Sequence, residues 1–296
     1  MKRSFDLIDF KVAESEYFLK RISKSGHDIF GVRFNVSAFI SATRTITYAL
    51  QACLKECDKF LLWYEEKQRS LKKNKIAKFF HDFRNVNQHL GENPITHGHF
   101  KNGKNVYWFK PTNNIIWVPK IDVETSCRIY FISLLEIVYD CYILFGPQID
   151  PKQYYTKEHF SQLSKSIEDA EEEAILEYML SMYEALSLSQ LKNKLKPIEN
   201  MEKQKNIFRG WTKVNNIPEE YRWQLIRDMQ PACRINYIFK EYLDKITPEP
   251  KRLPKLSIYN GKGKPLLEKG GWIYIPEEYR KSGDPEKDII NYLENL

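Results

Sequence analysis

Three features that assign a chain to a common class are missing from this sequence of 296 residues. The first ten residues, MKRSFDLIDF, interleave charged with apolar residues, so we expect no secretion signal. The most apolar stretch, 129–145, carries Glu136 and Asp140, whose charges are costly in lipid, so it predicts a buried helix and no membrane span. Gly261–Lys264 (GKGK) lacks the spacing of a phosphate-binding loop.

Cysteine is also scarce. The five cysteines form an odd set without the spacing of a disulfide framework, which favours reduced thiols in the cytoplasm. Cys53 and Cys57 lie four residues apart, a spacing compatible with a metal on a helix, but no second pair follows them. We therefore expect a cytoplasmic protein with no metal and no cofactor.

What the sequence has is a packed composition and a local excess of positive charge. Hydrophobic residues make up 42% and aromatic residues 14% of the chain, as in a globular protein. Residues 60–120 contain eleven Lys and Arg and four acidic residues, a balance that equals the whole chain's net charge of +7. Such a concentration suits a polyanionic partner such as nucleic acid, although a lysine-rich solvated surface has the same composition.

Apolar periodicity predicts a mainly α fold, an up-and-down bundle of four to five helices. Ser37 is the expected N-cap of the long second helix. The third helix is expected to break near 72–75 and to stop at Gly91. The other expected helices cover 11–23, 126–145 and 157–186.

Two further regions differ in composition from the helical segments. The runs 105–110 and 115–120 are β-branched and aromatic, and they predict a β-hairpin inserted near 104–120. The chain is expected to divide into a helical domain, 1–190, and a small α+β C-terminal region, 191–296, of unassigned role. A proline-containing linker near 248–254 and two short strands after it are expected in the second region.

The segment Phe79–Leu90, FFHDFRNVNQHL, concentrates side chains suited to chemistry. At about 100° per residue, its Phe, Val and Leu residues share one side of a helix. His81, Arg84, Asn85, Gln88 and His89 fall on the opposite side, and Asn85 and His89, four apart, are expected to be neighbours.

These residue types suit cleavage of RNA without a metal. Histidine titrates near neutrality and can exchange a proton with a ribose 2′-hydroxyl or a leaving 5′-oxygen. Arginine stabilises charge that builds on phosphoryl oxygens, and asparagine can orient either the histidine or the substrate. One helix supplies one such histidine, so a twofold dimer would bring two copies of the segment to one cleft. The same pattern can also arise by chance on the polar outer face of a bundle helix.

The sequence Arg84-Asn85-x-x-x-His89 resembles the R-(N/H/D)-x-x-x-H motif of the HEPN superfamily, which lies late in the third helix of those proteins. The preceding 33–51 and 61–85 also resemble uncharacterised bacterial HEPN-like proteins, so the likeness covers roughly residues 1–190. The superfamily includes toxin ribonucleases, abortive-infection proteins and the nuclease parts of type VI CRISPR effectors.

The resemblance implies that Arg84 and His89 are the catalytic pair and that Asn85 supports them. It also implies a dimeric four- or five-helix bundle that leaves 2′,3′-cyclic phosphate ends on RNA, acting as a toxin or antiviral effector with an antitoxin or defence-system partner. One position departs from the pattern: toxins controlled by nucleotide transfer often carry Tyr two residues after the histidine, where this chain has Gly91.

Other residues are expected to contact RNA, tRNA or mRNA being the candidate substrates. They are basic, amide or imidazole side chains close to the motif: Lys72, Lys73, Lys75, Lys78, His81, Gln88, His97 and His99. His97 and His99 could instead bind a metal, but no third ligand is near in sequence. Tyr107, Trp108, Phe109 and Trp117, interleaved with lysines, either stack bases or cover a core. The alternative to a nuclease is a non-catalytic RNA-binding or protein-interaction adaptor on the same scaffold.

Overall fold

The computed structural model of the protein describes residues 5–57, 59–96, 98–101, 103–184, 218–253 and 287. Within these ranges it is mainly helical, with eleven helices and one small antiparallel sheet of two strands. The chain divides into two compact units, one within Met1–Asp150 and Ala232–Pro248, the other within Pro151–Pro231 and Glu249–Leu296. The expected boundary at residue 190 differs from this division and lies among residues outside the described ranges.

The first unit begins with two long helices packed along each other, α1 (Asp6–Lys24) and α2 (Ile29–Leu54). The expected helix over 11–23 lies within α1, which begins five residues earlier and has Ser25 as its C-cap. The prediction that Ser37 caps α2 is wrong. Asp28, nine residues before Ser37, is the N-cap because its carboxylate accepts a hydrogen bond from the amide of Gly31 at 2.9 Å.

The expected break in the third helix is confirmed at Asn74, between α3 (Phe60–Lys73) and α4 (Lys75–Leu90). The Asn74 side chain accepts hydrogen bonds from the amides of Ile76 and Ala77 at 2.9 and 3.1 Å, which starts α4 anew. Gly91 ends α4 with φ +71°, a left-handed conformation that glycine adopts without steric cost.

The structure contains a β-hairpin in this region, but the predicted pairing of 105–110 with 115–120 is wrong. β1 (His99–Lys101) pairs with β2 (Lys104–Val106) in antiparallel register, His99 opposite Val106. The second expected strand, 115–120, is irregular in the structure. The chain turns just before this run, where the amide of Thr112 donates a hydrogen bond to the carbonyl of Ile115. The side chain of Ile115 is buried in the core.

The centre of the first unit is a core of aromatic side chains. The next helices of this unit are α5 (Val123–Leu144), which packs against α1, α2 and α4, and the short α6 (Gly146–Ile149). Asp122 caps α5, which begins at Val123, three residues before the expected start. Phe39 of α2 lies against Phe80 of α4 and Phe131 of α5, with ring centroids 6.2 and 6.4 Å apart. α11 (Asn236–Leu243) packs on α5 from far along the chain, a contact that no local pattern indicates.

The second unit contains α7 (Pro151–Tyr154), α8 (Lys157–Gln162), α9 (Ile167–Glu184) and α10 (Glu219–Asp228). The prediction of one helix over 157–186 is wrong because Ser166 and Asp169 form a capping box that starts α9 separately. Arg222 of α10 makes a two-pronged ion pair with buried Glu171 of α9, at 2.7 and 2.9 Å.

Two consequences follow for the predicted regions. The described part of the C-terminal region, 218–253, contains the helices α10 and α11, and the strands expected after residue 254 lie outside the described residues. Across the described ranges, no helix has both the length and the apolar content needed to cross a membrane.

Candidate active site on the polar face of α4

The orientation of α4 about its own axis is fixed by aromatic side chains on its buried face. Phe80 stacks on Tyr130 with ring centroids 4.8 Å apart, and Phe79 meets Phe109 edge-on at 4.7 Å. Phe83 is also fully buried. These contacts hold the opposite face of α4 toward solvent, as the apolar periodicity of the segment predicts.

Arg84, Asn85 and His81 form a connected group on that polar face. Nη1 of Arg84 donates to Oδ1 of Asn85 at 3.4 Å, and Nδ2 of Asn85 lies 3.3 Å from Nε2 of His81. With Oδ1 of Asn85 facing Arg84, the amide nitrogen faces His81 as a donor, and Nε2 of the ring can accept from it. Asn85 was expected beside His89, and the structure joins it instead to the histidine one turn earlier.

His89 lies in the last turn of α4 and is exposed. Within the described ranges its ring makes no hydrogen bond or ion pair with another side chain. His81 and His89 are eight residues apart, which separates them by about 12 Å along the helix axis. The two histidines of one α4 therefore cannot both contact a single phosphate.

A polar seam ties the motif to α2. The hydroxyl of Ser37 donates to Oδ1 of Asn87 at 2.6 Å, and Nδ2 of Asn87 donates to the carbonyl of Glu92 at 3.1 Å. Gln88, which was expected to contact RNA, donates to Oγ of Ser41 at 3.1 Å. The sequence reasoning missed Ser37, Ser41 and Asn87 in this role, although the serines at i and i+4 on an otherwise apolar helix could have indicated it.

Arg44 is a second basic residue that the sequence reasoning missed. It follows Ser41 by three residues on the same side of α2, and its guanidinium lies 4.5 Å from the ring of Tyr48. The Nε atoms of Arg44 and Arg84 are both buried, and neither has a hydrogen-bond partner among the described residues. Burial raises the pKa of Tyr130 to about 12, and the nearby charge of Arg44 opposes that rise.

The predicted RNA-binding lysines lie at the other end of α4. Lys72 and Lys73 occupy the last turn of α3 and Lys75 the first turn of α4, all exposed. Lys78 is paired with Asp82 at 2.7 Å, which offsets its charge. Lys75 and His89 are fourteen residues apart, about 21 Å along the axis, so these lysines would contact RNA at a distance from the motif.

The histidines beyond the motif give no metal centre in the described structure. His99 is exposed on β1, and His97 lies outside the described residues. The described residues include no group of three or more His, Cys, Asp or Glu side chains placed to hold a metal ion. Of the predicted aromatic residues, Tyr107 and Phe109 are buried in the core, whereas Trp108 and Trp117 are exposed.

The cysteines of the first unit form no disulfide in the described structure, and three of them are unsuited to nucleophilic chemistry. Burial raises the pKa of the Cys127 and Cys141 thiols well above the ordinary value, and it raises that of Cys233 to about 12. Cys53 lies in the last turn of α2, Cys57 lies in the bend that follows the helix, and both are half-buried.

The polar face of α4 thus combines a positioned arginine, an amide that links it to one histidine, and a second, solvent-facing histidine at the helix end. An arginine can bind a phosphate, and an imidazole can donate or accept a proton. Comparisons with models of known protein families, with curated proteins and with solved structures found no match.

Proposed function

We propose that this protein is a metal-independent endoribonuclease that uses the polar face of α4 as its catalytic surface. The observation that carries the proposal is the placement of Arg84 and His89 on one helix whose orientation is fixed by buried aromatic side chains. The resemblance of this segment to the HEPN motif supports the same conclusion, as does the +7 balance of residues 60–120.

In the proposed reaction, His89 removes the proton of a ribose 2′-hydroxyl and the oxygen attacks the adjacent phosphorus. A bond from phosphorus to the 2′-oxygen forms while the bond to the 5′-oxygen breaks, so the products carry a 2′,3′-cyclic phosphate and a 5′-hydroxyl. Arg84 stabilises the charge that develops on the non-bridging oxygens. Asn85 positions Arg84 through their 3.4 Å contact.

The leaving 5′-oxygen needs a proton, and we propose that a second copy of the chain supplies the histidine that gives it. The 12 Å rise between His81 and His89 is too long for both to act on one phosphate. Exposed apolar side chains near the motif suit a twofold contact: Phe30, Phe34 and Leu90. The working unit would then be a homodimer of HEPN-like bundles with a composite active site.

The proposed role is that of a cytoplasmic toxin or antiviral effector. It rests on the motif resemblance alone, as do tRNA or mRNA as substrates and an antitoxin or defence-system protein as partner. Control by nucleotide transfer onto a tyrosine after the motif is not part of the proposal, because Gly91 occupies that position.

The experiment that tests the proposal incubates the full-length protein with total cellular RNA in EDTA. We expect cleavage by the wild type and by His159→Ala, a histidine of the second unit, and a loss of at least about 100-fold in His89→Ala. All three proteins should show the same circular dichroism and melting temperature. Intact RNA in the presence of folded, dimeric wild type would overturn the proposal.

The second candidate function is a non-catalytic RNA-binding adaptor. It is favoured by one observation: Asn85 and Gln88 are engaged with His81 and Ser41, and neither supports His89. An adaptor would bind RNA in a salt-dependent manner that His89→Ala leaves unchanged, whereas replacing Lys72, Lys73 and Lys75 together would weaken binding.

A further inference from the structure

A cleft of about 480 Å³ opens beside the segment that follows α4, in the same unit as the motif. Eight described residues line it, and none of them is acidic: Arg33, Asn93, Pro94, Ile95, Thr96, Lys110, Pro111 and Thr112. Neither the motif nor the expected RNA-binding residues include any of these.

The floor of the cleft is a short antiparallel pairing of two chain segments. The amide of Lys110 donates to the carbonyl of Pro94 at 2.8 Å, and the amide of Thr96 donates to the carbonyl of Trp108 at 3.0 Å. Arg33 of α2 is attached to this pairing because its Nε and Nη2 donate to the carbonyl of Ile95 at 3.2 and 2.7 Å. These hydrogen bonds fix the position of the Arg33 guanidinium and of the Lys110 main chain.

Two of the three neutral polar side chains of the cleft keep a hydrogen-bond donor, whereas the hydroxyl of Thr96 donates to the carbonyl of Trp108 at 3.4 Å. Oδ1 of Asn93 accepts the amide of Ile95 at 3.1 Å, which leaves the NH₂ group of Asn93. Oγ1 of Thr112 accepts the amide of Ile115 at 3.1 Å, which leaves its hydroxyl proton. Two cations and two donors facing one space, without a carboxylate in the lining, match the needs of a phosphate group.

Glu92 is the carboxylate closest to the cleft in sequence, and it is engaged elsewhere. One of its oxygens accepts a hydrogen bond from the Asn114 side chain, and its other oxygen is buried without a hydrogen-bond partner among the described residues. Lys110, by contrast with Glu92, is exposed and makes no ion pair within the described residues.

Trp108 lies outside the lining of this cleft and borders a neighbouring pocket with His99 and Asp122, and its indole indicates what carries the phosphate. The segment 107–110 is extended and alternates, with Tyr107 and Phe109 buried and Trp108 and Lys110 exposed, so Trp108 and Lys110 face the same way. An indole two residues from an ammonium group suits a base stacked next to its backbone phosphate.

We propose that this cleft is a binding subsite for single-stranded RNA, with one backbone phosphate between Arg33 and Lys110 and a base on Trp108. Arg33 precedes Ser37 by one turn of α2, and Ser37 contacts Asn87 within the motif, so the subsite adjoins the catalytic surface. That the polynucleotide is RNA rests on the proposed function; the phosphate site itself does not.

The test measures binding of a fluorescein-labelled twelve-nucleotide oligouridine by anisotropy over a series of KCl concentrations. Full-length His89→Ala is the parent protein, so that no substrate is cut. Adding Lys110→Gln should weaken binding and reduce the slope of log affinity against log salt by about 0.7, the loss of one phosphate contact to a single strand. The matched control is Lys55→Gln, an exposed lysine at the opposite end of α2, which should change neither quantity.

Two further arms separate RNA from a free phosphoryl ligand. Trp108→Ala should lower oligouridine affinity at least about fivefold and leave pyrophosphate binding, measured by calorimetry, unchanged. Equal affinities and slopes for Lys110→Gln and Lys55→Gln would overturn the subsite. Loss of pyrophosphate binding in Lys110→Gln, with oligouridine binding unaffected by either variant, would overturn its assignment to RNA. Neither result depends on whether the wild type cleaves RNA.

Discussion

Asn85 has a central place among the polar residues of α4, because an amide can accept from a cation and donate to an imidazole at once. Its oxygen faces Nη1 of Arg84 and its nitrogen faces Nε2 of His81. An aspartate at this position could accept from Arg84, but it could not donate to Nε2 of His81. Asparagine therefore keeps the arginine oriented while leaving the polar face of α4 positively charged.

At the same scale, Asp9 makes the stability of the first unit depend on pH. Burial raises the pKa of Asp9 from 3.8 to about 6, although the Tyr142 hydroxyl donates to it at 2.7 Å and the Arg234 amide at 3.2 Å. The folded protein thus holds this proton more tightly than the unfolded chain does. Its contribution to stability is largest below pH 3.8 and is lost as pH rises to about 6.

We predict that the pH profile of unfolding changes in Asp9→Asn, which cannot ionise. Two pKa units correspond to about 3 kcal/mol, so the variant's free energy of unfolding should rise relative to the wild type by 2–3 kcal/mol, in order of magnitude, between pH 4 and pH 7. Urea denaturation at a series of pH values measures this difference. If the free energies of unfolding of the two proteins differed by the same amount at every pH, the prediction would be contradicted. Loss of the hydrogen bond from the Arg234 amide would by itself give only such a constant difference.

At the scale of the helices, Asn74 separates α3 from α4 and sets where α4 begins. We predict that Asn74→Ala lowers the free energy of unfolding by about 1 kcal/mol, because the amides of Ile76 and Ala77 lose their acceptor. Asn74→Ser, which retains a capping oxygen, is the matched control and should lie closer to the wild type. Equal stabilities for wild type and Asn74→Ala in urea would show that the cap contributes nothing.

Local signals predicted the elements whose ends depend on local chemistry. The α3–α4 break, the end of α4 at Gly91 and the burial of Phe79, Phe80 and Phe83 all follow from caps and periodicity within a few residues. The start of α2 was predicted wrongly because sequence alone does not distinguish an N-cap serine from one inside a helix. The hydroxyl of Ser37 donates instead to the side chain of Asn87 on another helix.

The remaining errors come from contacts between distant residues. The run 115–120 has strand composition, yet Ile115 is drawn into the core and the pairing of 94–96 with 108–110 replaces the expected hairpin there. Tertiary burial overrides strand propensity in such cases. The position of Asn85 relative to His81 and His89 was equally open, since both lie four residues away on the same helix.

At the scale of the whole molecule, the proposed dimer predicts the molecular mass of the protein in solution. It also predicts that a substitution at the dimer contact halves that mass. The chain has a mass of 35.3 kDa, so light scattering should give about twice that value for the wild type. Phe34 and Leu90 lie one turn outside the Ser37–Asn87 contact on helices that run in opposite directions, and both are exposed. We predict that Phe34→Asp yields a folded monomer without ribonuclease activity.

The control for that variant is Phe10→Asp, because Phe10 on α1 is 62% exposed and Phe34 is 70% exposed. Phe10→Asp should remain dimeric and active. A monomeric wild type that cleaves RNA would contradict the composite site, and so would an active Phe34→Asp monomer.

The second unit has its own stability test in the ion pair of Arg222 with Glu171. Arg222→Ala would leave the buried carboxylate of Glu171 without a partner, so we predict a loss of about 3–5 kcal/mol. Arg252→Ala removes an exposed pair with Asp228 in the same unit and should cost less than about 1 kcal/mol. Similar losses in the two variants, measured by chemical denaturation, would contradict this account of the unit.

The chemistry of the ends left on cleaved RNA tests the central claim most directly. Reaction of the wild type in EDTA, followed by mass spectrometry of the fragments, should give 2′,3′-cyclic phosphates and 5′-hydroxyls. Both should disappear in His89→Ala, because the attack by the 2′-oxygen requires that base. Fragments ending in 3′-hydroxyl and 5′-phosphate, or cyclic phosphates formed equally by wild type and His89→Ala, would contradict the account.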